Sequence, residues 1–133
     1  MPPPTSSQEL GRELIARFPE AAGRPDEIRF VRSPGRVNLI GEHTDYNGGL
    51  VMPAAIDREI RIAFLPTDDR RVELELLTSG ERQSFELDAI GPARDAWIDY
   101  VAGTAWALRA AGARTTGFRG VLASDLPSGA GLS

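Results

Sequence analysis

Apolar positions along this chain change their spacing several times, and each change marks a boundary between elements. Leu10, Leu14, Ile15 and Phe18 recur at three- and four-residue steps and fall on one helical stripe. Ahead of them Ser6 and Glu9 have the spacing of a capping box, and Pro19 closes the helix. From Ile28 the period becomes alternating, which predicts strands over 28–32 and 36–40 around a turn at Ser33-Pro34-Gly35. Gly41 to Gly49 reads as a long polar loop. Leu50 to Ala55, the alternating Ile60, Ile62 and Phe64, a turn at 66–70, and Val72, Leu74 and Leu76 alternating with Glu73 and Glu75 predict an antiparallel meander. Phe85 and Leu87 extend it.

A second helical pattern follows Gly91-Pro92: Trp97, Tyr100, Val101, Thr104, Ala105 and Leu108 share a stripe, and Gly112 fits a C-terminal cap. A last strand over 118–123 runs into the glycine-rich end of the sequence. Strands and helices without regular alternation predict an α+β fold, a largely antiparallel sheet with helices on one side.

Composition narrows the function classes. A chain of 133 residues with 41% hydrophobic and 26% charged residues has the makings of one folded domain. The net charge of −4 argues against nucleic-acid binding through a broad basic field. All 15 basic residues are arginine. With no cysteine there is no disulfide frame or thiolate metal site, which is compatible with the cytoplasm. No apolar run approaches the roughly 18–20 residues that a spanning helix needs, so no membrane partner is expected. Met1 to Ser7 lacks the features of a signal peptide.

The chemistry concentrates in two glycine-flanked stretches. Within 41–49 the sequence GEHTDYNGG sets Glu42, His43 and Asp45 close together, and His43 is the chain's one histidine. Ionised carboxylates and imidazole suit a ligand rich in hydroxyls, because each carboxylate accepts several hydrogen bonds in geometry that fixes a ring. A site of that kind discriminates strongly, since the wrong epimer leaves a buried polar group unpaired. Turn chemistry alone also accounts for Asp45, Asn47, Gly48 and Gly49, and one imidazole with two carboxylates is an incomplete metal-ligand set. Arg36, upstream on the preceding strand, is either a solvated strand residue or a fixed guanidinium beside this loop, able to stabilise charge developing in phosphoryl transfer.

The second stretch, LPSGAGLS, follows a strand and has the small residues that let backbone N–H groups approach a phosphate. It lacks both the GK[ST] ending of a Walker loop and the third spaced glycine of a dinucleotide fingerprint, so an ordinary glycine-rich connection remains an alternative.

Ser33 to Pro53, SPGRVNLIGEHTDYNGGLVMP, closely resembles the galactokinase signature, and Pro127 to Ser133, PSGAGLS, resembles the start of the phosphate loop shared by the GHMP sugar and metabolite kinases. WIDYVAGTAWAL between them is similar to the helix that precedes this loop in galactokinases. The resemblance implies that residues 1–133 are an incomplete N-terminal domain of a GHMP kinase, a fold like the second domain of ribosomal protein S5. It implies transfer of the γ-phosphoryl group of ATP, with Mg2+, to the anomeric hydroxyl of galactose or a related monosaccharide. Arg36 then corresponds to the arginine that stabilises the transition state. Glu42, His43, Thr44 and Asp45 correspond to the sugar-binding segment, and Gly129, Ala130, Gly131, Leu132 and Ser133 to the first part of the nucleotide loop. Ser79 and Trp97 correspond to the border of the adenine pocket, although a turn serine and a core indole explain them as well. The family's magnesium ligands and catalytic aspartate fall later in sequence, so the chain as given is expected to be inactive by itself. Galactokinase-like proteins that sense sugar and nucleotide without turnover share the same loop, and form the alternative.

Overall fold

A computed structural model describes residues 6–41, 43–127, 129 and 131, and of Asp45 the backbone alone. Helix α1 spans Ser7–Arg17 and opens on the expected capping box: the Ser6 hydroxyl accepts from the Glu9 N–H and the Ser6 N–H donates to the Glu9 carboxylate, both at 3.1 Å. Strands β1 (Arg29–Ile40), β2 (Met52–Thr67), β3 (Arg71–Leu76), β4 (Arg82–Glu86) and β5 (Gly117–Ser124), with helix α2 (Ile98–Ala110) before β5, complete the order. Helix α2 ends in a Schellman motif in which Gly112 N–H donates to the Arg109 carbonyl and Ala113 N–H to the Leu108 carbonyl.

Among the described residues the strands form one sheet in the order β1-β2-β5-β3-β4, antiparallel except for the parallel pair β3 and β5. The α+β class stands, and three details of the expectation change. First, 29–40 is a single edge strand, since β2 is long enough to accompany both halves, and the expected turn at 33–35 is an irregularity in register between Pro34 and Arg36. Pro34 is tolerated there because an edge strand has one side that needs no donor. Second, β2 and β3 are not neighbours in a meander, because β5 lies between them. The link from β2 to β3 passes so close to the start of β5 that a Cβ on Gly117 would stand 2.5 Å from the Arg71 carbonyl oxygen and 2.6 Å from that of Asp69, so only glycine fits.

Third, the helices cover both faces of the sheet. Side chains alternate along each strand, so Ala63, Leu65, Val121 and Ala123 face one way and bury Leu10, Leu14 and Phe18 of the α1 segment. Val72 and Leu74, with Ile62 and Phe118, face the other way and bury Leu87 and Ile98, against which Trp97, Val101 and Ala105 pack. Glu75, registered with Val121 on the α1 face, is held between Arg17 of α1 at 2.6 Å and Arg82 of β4 at 2.8 Å. Within α2 the inward residues are Ile98 and Ala102, whereas Tyr100 and Leu108 of the expected stripe are exposed.

Candidate functional site

The β1–β2 pair outruns the rest of the sheet: β1 pairs with β2 as far as Ile40 and Met52, while β5 accompanies β2 only as far as Ile60. The polar loop at 41–49 caps that projecting end. Gly41 turns the chain at φ +95°, and a Cβ there would lie 2.5 Å from the Leu50 carbonyl oxygen. Thr44 ties the loop together. Its hydroxyl stands 2.6 Å from the Gly41 carbonyl and 3.1 Å from the Leu50 carbonyl, reaching the residues on which the loop begins and ends. Its own carbonyl accepts from Asn47 N–H at 3.1 Å and Gly49 N–H at 2.7 Å. The Asn47 side-chain amide donates to the His43 carbonyl at 3.1 Å, closing a short 3-10 turn at Asp45–Asn47.

His43 sits on this turn with φ +59°, exposed, its ring edge-on to Tyr46 at 6.1 Å between centroids. Few non-glycine residues occupy the left-handed region, histidine being among those that do so more often, and here its carbonyl accepts the bond from Asn47. Glu42 and the Asp45 side chain lie outside the described residues, as do Ala130, Leu132 and Ser133.

The structure joins the two motifs at one point. Arg36, exposed on β1, donates from Nη1 to the Gly131 carbonyl oxygen at 2.7 Å. Gly129 and Gly131 both have left-handed backbone, at φ +71° and +67°. Ser79 is not brought into this group: its hydroxyl accepts from Glu81 N–H at 3.2 Å in the exposed turn between β3 and β4. That turn is at the same end of the sheet as the exit of β5, since Leu77 N–H donates to the Leu122 carbonyl at 2.9 Å. Trp97 lies on the α2 side, partly buried against the core, with its indole N–H enclosed and without a partner among the described residues. Its placement is that of a core indole.

Two acidic residues at the site carry more structure than their sequence positions announced. Asp125, directly after β5, accepts from the Glu59 N–H at 2.6 Å, and this bond, together with the Arg61 guanidinium, holds its carboxyl below the usual carboxylate range. Glu59 is likewise lowered, first by the hydrogen bonds from Arg32 and then by those from Arg61. Nothing in local periodicity marks the partnership, because Arg32 comes from β1, Glu59 and Arg61 from β2, and Asp125 from the residue after β5. Among the described residues no group of three or more His, Asp or Glu comes together to hold a metal ion.

Known proteins give the arrangement its context. Residues 16–66 match the galactokinase galactose-binding signature. The chain is 46% identical over 121 residues to a galactokinase of Roseiflexus sp. (strain RS-1), covering 91% of this chain and 31% of that protein. It is 48% identical over 103 residues to one of Pyrococcus furiosus, covering 77% of this chain and 28% of the relative. The crystal structure of Lactococcus lactis galactokinase complexed with galactose superposes with a TM-score of 0.77 at 35% identity, over 92% of this chain and 32% of that one. The mevalonate kinase of Methanococcus jannaschii shares the fold, with a TM-score of 0.60 at 23% identity. The chain thus spans about a third of the length of the relatives it matches, 31% of the first.

Proposed function

We propose that this chain, which belongs to the galactokinase family, is the N-terminal, sugar-gripping part of a longer cytoplasmic kinase that transfers the γ-phosphoryl group of ATP to the anomeric hydroxyl of galactose. The observation that carries this is the hydrogen bond from Arg36 to the Gly131 carbonyl, which sets the residue suited to phosphate charge against the segment suited to phosphate binding. Phosphoryl transfer asks for placement and charge neutralisation more than for covalent chemistry. A guanidinium held at the glycine-rich segment meets that need, because preorganised charge stabilises the transition state without moving. Left-handed backbone at 129 and 131 supports the other half, since a left-handed residue is one member of the successive pair whose N–H groups cradle an anion.

The loop at 41–49, in whose sequence Glu42, His43 and Asp45 fall, is tied by Thr44 and Asn47, and a rigid loop is what discrimination among sugar epimers requires. Bound magnesium neutralises phosphate charge in such a transfer. Among the described residues no group of three or more His, Asp or Glu stands together as a site for it.

The test is initial-rate kinetics of the full-length protein across a panel of monosaccharides with ATP. Galactose should give the highest kcat/KM, and Asp45→Asn should raise the galactose KM by at least about tenfold with little change in the ATP KM. Unchanged sugar kinetics in that variant, or binding of sugar without turnover, would replace the kinase reading with one of a different binding site or a sensor.

A further inference from the structure

Four charged side chains outside both motifs connect the strand that carries Arg36 to the strand that leads into the glycine-rich segment. Glu59 of β2, 8% exposed, accepts from Arg32 Nε of β1 at 2.9 Å and from Arg61 Nε at 2.5 Å. Asp125 accepts from the Glu59 N–H at 2.6 Å through Oδ1, and its Oδ2 lies 3.3 Å from Arg61 Nη2. The backbone reciprocates, Asp125 N–H donating to the Glu59 carbonyl at 3.3 Å, and Arg58 Nη1 donates to the Asp125 carbonyl at 3.1 Å. Arg32 lies upstream of Arg36 on β1, and Asp125 lies upstream of Gly131 after β5. The cluster therefore stands at the root of both arms that meet where Arg36 touches Gly131.

Stability alone is a poor reason for such a cluster. Buried ion pairs roughly break even against apolar packing, because desolvation offsets attraction, whereas directional bonds between charged groups fix geometry. We propose that Glu59 and Asp125, with Arg32 and Arg61, form a clamp that sets how the glycine-rich segment stands against Arg36, which makes both carboxylates positioning residues for the phosphate chain of a nucleotide. The clamp rests on the reading of that segment as the nucleotide's, and two readouts keep the ideas apart.

In the ligand-free protein, the Nη–H signals of the Arg36 guanidinium, observed by nitrogen–proton NMR, report its bond to Gly131. In the full-length protein the ATP and sugar KM values report the consequence. Asp125→Ala should collapse the Arg36 signals and raise the ATP KM about tenfold, with the sugar KM within about twofold. Asp125→Asn keeps an oxygen for the Glu59 N–H and should restore most of both. Arg32→Ala, at an exposed guanidinium, should move the same readouts less, and it serves as the test if Asp125→Ala does not fold. Unchanged Arg36 signals in these variants overturn the clamp, as does a parallel rise of both KM values, which general loosening would give. Lost signals with an unchanged ATP KM overturn the role toward nucleotide and the reading of the segment with it. If the full-length protein turns over no sugar, the kinase reading fails by itself, and the affinity for a non-hydrolysable ATP analogue decides the clamp.

Discussion

The two glycine-flanked segments are held in opposite ways. The loop at 41–49 is tied mostly to itself and to its own ends: Thr44 reaches Gly41 and Leu50, Asn47 reaches His43, and Gly49 returns to Thr44. The stretch after β5 is tied to other elements, through Asp125 to β2 and through Gly131 to Arg36 of β1. A self-closed loop keeps its shape wherever it is placed, which suits the reading of a small rigid ring. A segment held by outside partners takes its position from the sheet, which suits a long flexible ligand that must meet the first.

The largest effect should come from cutting the bond that joins the two. Arg36→Ala in the full-length protein should lower kcat roughly 10²–10³-fold, the scale on which preorganised transition-state donors act, and steady-state kinetics will show it. Equal loss from any exposed arginine, such as Arg114, would remove the distinction claimed for Arg36. A smaller effect should follow from untying the self-closed loop. Thr44→Val keeps the shape and removes the hydroxyl that reaches Gly41 and Leu50, so the sugar KM should rise about tenfold, the scale of one or two hydrogen bonds, while the ATP KM holds. Thr44→Ser should recover it. Amide exchange gives an independent measure, since the Gly49 N–H bonded to Thr44 should lose protection in the valine variant alone.

Acid should separate the segments most gently. Glu59 and Asp125 hold their protons less tightly in the folded chain than ordinary carboxylates do. Their contribution is therefore complete above the usual carboxylate range and is lost as the pH falls through their lowered values, where the unfolded chain takes up more protons. The bonds of the 41–49 loop run between a hydroxyl, amides and carbonyls, which do not titrate there. Protection at the Glu59 N–H should therefore fall at a higher pH than protection at the Gly49 N–H. The reverse order would show that the loop, too, depends on charge.

Much of this could be read from residue order. The capping box of α1, the alternation in β3, the Gly112 cap and the turn-rich loop are local, and local rules found them. Helix α2 shows where such rules stop: Ile98, Tyr100, Val101, Ala102, Trp106 and Leu108 give it apolar residues on every side, so only the sheet beneath decides that Ile98 and Ala102 turn inward. The same holds at the site. Arg36 stood out by motif, whereas Glu59 and Asp125 looked like any two of 19 acidic residues until β5 was seen beside β2. Pairing between distant strands is a property of the assembled sheet, and no spacing in the sequence encodes it.

The place of β5 also has a consequence for how the molecule is made. The strand that fills the middle of the sheet is synthesised after the other four described strands, so the β1–β2 and β3–β4 pairs must wait as separate hairpins with open inner edges. An emerging chain in that condition is slow to complete and exposed to wrong partners, because long-range pairing comes late and unpaired edges invite other strands. Gly117, which lets β5 slip beneath the β2–β3 link, is thus the doorway through which the two halves become one sheet.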